Sequence, residues 1–312
     1  MRVTVSTRGS EIAGLALAAY CVANGSFVAT VAKLTTGAAQ PLSVAFLTSA
    51  FGGLGVLAVL AARGKLGLLA VRRDLPALLA VGALGTALAF LLFYSGAKRV
   101  TAVETALCVQ TEPLYALVGT RLLLGHPLSG LRVAAVAAIG AGIALALGTQ
   151  PTSGWLGLAF LLATPLAWQS SHWVALRALP TFDPLQLSGA RYVLGTGVLA
   201  PLWLVAEGPA GLPAGADLAR LLPVLALQGA LLGFGGTLAW YGAVKRLDLT
   251  RTTAIVVPSV PILSLVVSYL VLGEKVSPRE AAGFALTAAG VLAFALAPSV
   301  QHVAQASLEG EL

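Results

Sequence analysis

In the apolar stretch "CVQTEPLYALV", residues 108–118, Gln110, Thr111 and Glu112 stand before Pro113, which sets a carboxylate beside a residue with no amide hydrogen. An acid held away from bulk water has few uses: it exchanges a proton, or it binds a cation whose hydration it replaces. The complementary charge is Arg191, in "LSGARYVLGTG". A guanidinium meets carboxylates and phosphates with a planar fork of donors, so one acid and one base at depth would suit the two ends of a zwitterion. Trp168, Tyr94, Tyr115 and Tyr241 offer aromatic faces for an apolar or aromatic substituent, and Asn24 and Gln110 offer amides. Plainer roles stand beside these. A protonated Glu112 could satisfy a carbonyl freed by Pro113, Arg191 could anchor its helix toward Asp183, and Tyr94 and Tyr241 lie near the ends of apolar runs, where tyrosines form interfacial belts.

Other chemistry has little to stand on. There is no GxxxxGK[ST] phosphate loop and no HExxH pair, and Cys21 and Cys108 both fall inside apolar runs. No catalytic centre, metal or cofactor is expected. Basic residues are not interleaved with aromatics, so the net charge of +7 does not read as a nucleic-acid footprint.

The elements that hold these residues follow from composition. Hydrophobic residues make up 58% of the 312 and charged ones 10%, with a mean hydropathy of +0.90; a soluble domain carries roughly one quarter charged residues. The chain reads as an integral membrane protein of the all-α class. Ten apolar stretches approach the about 20 residues a spanning helix needs: 11–32, 41–62, 75–97, 101–124, 130–149, 153–176, 184–206, 219–243, 250–272 and 279–298. The first carries Glu11 and no small-x-small cleavage site, so it reads as a span and not a signal peptide.

With a cytoplasmic N-terminus, twelve basic residues fall inside (Arg2, Arg8, Arg63, Lys65, Arg72, Arg73, Arg121, Arg132, Arg177, Lys245, Arg246, Arg251) and six outside (Lys33, Lys98, Arg99, Arg220, Lys275, Arg279). That bias puts both termini in the cytoplasm. The Gly-rich runs "FGGLGVL" and "GALLGFGG" lie within apolar spans, where glycine brings helices close.

The chain also repeats itself. "YSGAKRVTAVETALCVQTEPLYALVGTRLLLGHPLSG" from Tyr94 runs beside "YGAVKRLDLTRTTAIVVPSVPILSLVVSYLVLGEKVSP" from Tyr241, matching Lys98-Arg99 with Lys245-Arg246, Pro113 with Pro261, Gly125 with Gly273 and, further on, Gly142 with Gly290. Fainter echoes join Pro41 to Pro184 and Asn24 to Trp168. Two halves result, 1–150 and 151–298, with 299–312 as a cytoplasmic tail. Five spans per half force the copies to sit upside down relative to one another, an arrangement typical of secondary transporters with a midplane site. Polarity is not repeated: the face Glu104, Cys108, Thr111, Glu112, Tyr115, Gly119 corresponds to Thr252, Val256, Ser259, Val260, Leu263, Val267. The matched prolines would bend both helices and open space between the halves.

These two segments, with "LAWQSSHWV" and "FDPLQLSGARYVLGTGVLA", resemble the EamA family of the drug/metabolite transporter superfamily over about residues 11–298. Asn24 stands where the family usually has Trp, and His126 departs from the Glu that Glu274 keeps in "LGE". The resemblance implies a ten-helix, multi-pass exporter of small metabolites, with the aromatic-amino-acid exporters as the branch it suggests. Together these readings give a monomeric secondary transporter of the bacterial inner membrane, working by alternating access, whose partners are the bilayer and an amino acid or related small molecule. A sugar-phosphate or nucleotide-sugar antiporter, which should show a second deep cation, and a lipid-acting membrane enzyme or scaffold remain as alternatives.

Overall fold

A computed structural model describes residues 8–69, 72–124, 129–148, 154–179, 184–247 and 249–297, and every regular element among them is helical. Gly125, His126, Asp183 and the 299–312 tail lie outside the described residues. The helices are α1 (Arg8–Ala38), α2 (Pro41–Ala62), α3 (Leu75–Arg99), α4 (102–124), α5 (Gly130–Leu147), α6 (Trp155–Ala178), α7 (Pro184–Ala206), α8 (Gly215–Leu247), α9 (Leu249–Leu272) and α10 (Pro278–Leu296). All but α4 and α6 have the length and apolarity to cross a bilayer, which makes eight spans among the described residues against the ten expected. The polar run Trp168 to His172 dilutes α6, and a 3₁₀ stretch, Val109–Thr111, interrupts α4.

Start and stop signals in the sequence set several boundaries. Pro41 opens α2 at a position whose amide would be unpaired in any case. Thr101 and Glu104 form a capping box on α4, and Ser277 and Glu280 form another on α10. Three helices are locally widened to π winding, at Ala83–Leu88 in α3, Ala190–Leu194 in α7 and Leu227–Gly235 in α8. Such turns loosen the backbone hydrogen-bond ladder and expose carbonyls to side chains.

Packing partners come in matched pairs. Helix α1 packs on α8 and α9, while α6 packs on α3 and α4; α2 meets α8 as α7 meets α3. Helices α5 and α10, which correspond to one another, meet directly. That interface is close because a Cβ on Gly142 would come within 2.6 Å of the Gly283 carbonyl, and one on Gly290 within 2.8 Å of the Ala135 carbonyl. The Gly-rich runs also lie in helix contacts: a Cβ at Gly52 would strike the Tyr192 ring and one at Gly229 the Thr48 carbonyl. With little hydrophobic driving force between helices in lipid, close backbone approach of this kind supplies much of the association.

Candidate functional site

Three adjoining cavities run through the middle of the bundle. The first, about 370 Å³, has Glu112, Gln110, Pro113 and Gln169 on one side and Val256, Val257, Val291 and Phe294 on the other. The second, about 330 Å³, shares Val109, Gln110, Glu112 and Val260 with it and adds Phe93 and Trp168. The third, about 210 Å³, shares Val28, Phe93 and Trp168 with the second and reaches Tyr94, Arg191, Tyr192 and Gln228. Phe93 and Trp168, with ring centroids 6.3 Å apart, therefore stand between the compartment of the acid and that of the base.

The backbone of α4 explains how Glu112 comes to face this space. Three 3₁₀ residues advance about 120° each in place of 100°, so the segment after Thr111 is turned by about 60° from an unbroken helix. The face expected to carry Glu104 through Gly119 is split accordingly. Glu104 is used in the capping box, Gly119 packs on Trp173, and Tyr115 donates its hydroxyl to the Leu162 carbonyl at 2.8 Å. Glu112 becomes the first residue of a new helical segment, Glu112–Leu124, where the positive end of the helix dipole favours an anion. Its Oε1 accepts from Gln169 Nε2 at 2.8 Å.

Pro113 and Pro261 are not equivalent in this fold. Pro113 lies at the start of its segment, whereas Pro261, with Pro258, is inside the continuous helix α9. Each lacks the amide that would bond the carbonyl four residues earlier, on Val109 and Val257, and both of those residues line the 370 Å³ cavity.

Arg191 sits in the widened turn of α7 and donates from Nη2 to the carbonyl of Gly85, in the widened turn of α3, at 3.0 Å. Its Nε is buried without a partner among the described residues, as is the indole Nε1 of Trp168. No ion pair joins Arg191 to Glu112 among the described residues. Gln228 engages Thr35 with one end of its side-chain amide at 3.2 Å and leaves the other unbonded. Around these polar atoms the third cavity is walled by rings, with Phe90 edge-on to Tyr94 and Tyr192, and Phe93 edge-on to Tyr94.

Of the residues singled out in the sequence, Glu112, Gln110, Trp168, Arg191 and Tyr94 thus line these three adjoining cavities. Asn24 donates at 2.9 Å to the carbonyl of Leu232, which lines the third cavity, and its Oδ1 is buried without a partner among the described residues. Tyr115 is committed to Leu162, and Tyr241 is 45% exposed on the outside of the bundle. Gln169, Phe93 and Gly85 were missed. Gln169 had a visible signal, an amide one residue after Trp168, whereas Gly85 acts through a carbonyl that only the widened turn makes available.

The EamA-like transporter family matches the chain twice, over residues 12–148 and 155–296. A protein of Streptantibioticus cattleyicolor named "Probable terminal-alkyne amino-acid exporter" is 30% identical over 258 residues, covering 80% of this chain and 82% of that one. An "Uncharacterized transporter" of Archaeoglobus fulgidus is 21% identical over 265 residues, covering 84% and 91%. A crystal structure of a protein 22% identical matches 97% of this chain and all of that one with a TM-score of 0.63, a likeness of fold.

Proposed function

Because the chain belongs to the EamA-like transporter family, we propose that it exports amino acids with aromatic or other apolar side chains by alternating access of two inverted halves. It is a multi-pass membrane transporter of small molecules and not an enzyme. The observation that carries the finer reading is the pairing of unlike polar ends along the adjoining cavities. Arg191 Nε and Trp168 Nε1 are donors without a partner among the described residues, suited to a carboxylate, and Glu112, which accepts from Gln169, is suited to an ammonium. The rings of the third cavity and the valines of the first suit an apolar side chain. Among the described residues lining the three cavities Arg191 is the single cation, which disfavours a phosphate-bearing substrate. The relative named as an amino-acid exporter points the same way.

Efflux from proteoliposomes preloaded with single radiolabelled amino acids tests this. Aromatic and aliphatic amino acids should leave faster than sugar phosphates, and preference for a sugar phosphate would overturn the reading. Trp168→Ala should slow the preferred amino acid by about 1 to 2 kcal/mol in barrier, roughly five- to thirty-fold, because both a ring contact and a donor are lost.

We propose a monomer in a bacterial cytoplasmic membrane, and place both termini inside on the twelve-to-six distribution of basic residues. A cysteine at position 150, between α5 and α6, should then react with an impermeant thiol reagent applied outside the cell. Reaction only from the cytoplasmic side would reverse the orientation.

A further inference from the structure

The end of the bundle where α2, α4, α6, α8 and α10 begin is fastened by two carboxylates that no function has yet claimed. Glu207, just after α7, accepts from the backbone amides of Leu42 at 3.2 Å and Ser43 at 2.7 Å, and from the Ser43 hydroxyl at 2.8 Å. Glu274, just after α9, accepts from the amides of Ala102 at 2.9 Å and Val103 at 3.1 Å, and from Ser268 at 2.8 Å. Each carboxylate belongs to the second half and caps the N-terminus of a helix in the first. Such termini carry unsatisfied amides and the positive end of the helix dipole, so an anion is the matching group. Around Glu207 the join is reinforced by Trp203, whose Nε1 donates to Ser43 Oγ at 2.9 Å and whose ring stacks on Phe46 at 4.6 Å. At the same end Arg279 of the second half donates to the Leu145 carbonyl of the first at 2.7 Å.

At the opposite end Arg132 of the first half mirrors Arg279, donating to the Ala297 carbonyl of the second at 3.4 Å, but the sequence positions equivalent to the two carboxylates differ. Glu207 precedes Gly208, at φ +53°; the corresponding glycine after α2 is Gly64, at φ +63°, and it is preceded by Arg63. Glu274 follows Gly273; the matching glycine of the first half is followed by His126, which lies outside the described residues. Where the second half carries two acids, the first carries an arginine and a histidine, neither suited to the positive pole of a helix. Among the described residues at that end, Glu11 also pairs with Arg251 at 2.8 Å, with side chains 41% and 56% exposed, and an exposed pair of this kind holds little.

We propose that Glu207 and Glu274 are the latch of the transport cycle: they hold the α2 and α4 termini closed against the second half, and both must let go for the cavities to open at that end. The two carboxylates are not repeated at the equivalent sequence positions of the first half, so this pair of contacts belongs to one end of the molecule. The proposal uses only the transporter activity of the family and no assumption about the substrate.

The test is thiol accessibility in a background with Cys21 and Cys108 replaced by alanine. Ala106, buried on α4 one turn below the Glu274 contact and lining the second cavity, reports the latched end; Ala295, near the end of α10 and lining the first cavity, reports the other. In Ala106→Cys protein, Glu274→Gln or Glu207→Gln should raise modification by an impermeant reagent from the latched side at least about ten-fold. In Ala295→Cys protein the same changes should slow modification from the opposite side. Asp217→Asn, which breaks an exposed pair with Arg220 at the same end, should change neither rate. Should the glutamate variants fail to reach the membrane, Ser43→Ala and Ser268→Ala each remove one hydrogen bond from a carboxylate and should shift both rates in the same directions, by about three-fold. Unchanged rates would overturn the proposal. So would a rise at both positions, or an equal response to Asp217→Asn, since each would report general loosening.

Discussion

Glu112→Gln is expected to lower transport of the preferred amino acid by roughly thirty-fold or more while leaving the amount of folded protein in the membrane unchanged. Truncating one partner of a desolvated charge contact costs about 2 to 5 kcal/mol, and each 1.4 kcal/mol is a factor of ten. The substitution is chosen to separate the two accounts of this residue. If Glu112 were a neutral acid that only satisfies backbone near the break at Val109–Thr111, glutamine would replace it well, since its amide can donate a hydrogen bond of the same kind and also accept from Gln169. If Glu112 binds an ammonium, glutamine has no charge to offer and the contact fails. Initial efflux rates against substrate concentration, with membrane content measured on the same vesicles, decide between them. Full activity in Glu112→Gln would leave only the structural role.

Much of this geometry could be read from residue types and spacing, and the remainder could not for identifiable reasons. Helix positions were legible because lipid demands long apolar runs, and the duplication was legible because prolines and glycines that shape helices recur at fixed offsets. The family match over both halves bears out the resemblance seen in those segments. What a 3.6-residue period cannot foresee is a change of winding. The 3₁₀ stretch in α4 reorients Glu112 relative to Glu104, and the widened turns in α3 and α7 create the Gly85 contact of Arg191. Asn24 and Tyr115 are polar at depth, and that each donates to a neighbouring helix's carbonyl depends on which helices touch, which the sequence does not show. The same holds for Glu207 and Glu274. Charges at helix ends read as ordinary loop residues until the helix they cap is known to lie across the half boundary.

Arg191→Gln should impair transport of a zwitterion about as strongly as Glu112→Gln, and the double variant should be less damaged than the two losses multiplied. Arg191 is already fixed in place: Nη2 holds the Gly85 carbonyl, and a Cβ on Gly85 would come within 3.1 Å of Nε and 2.5 Å of Ser171 Oγ, so the glycine leaves room for the guanidinium. With one arm of the fork anchored, the unpaired Nε belongs to a side chain already ordered at the cavity that Trp168 also lines. Lysine cannot do both tasks, because it has a single ammonium in place of a fork, so Arg191→Lys should recover little. In the proposed reading the two charges act on opposite ends of one substrate, and a substrate that has lost one end's contact no longer gains fully from the other. End-specific analogues separate this from a structural role for Arg191. Competition by an amine lacking the carboxylate should be insensitive to Arg191→Gln and sensitive to Glu112→Gln, and competition by the acid lacking the amine should show the reverse. Equal losses for both analogues in both variants would mean that Arg191 shapes α3 and α7 without touching substrate, and a fully active Arg191→Gln would remove it from the site altogether.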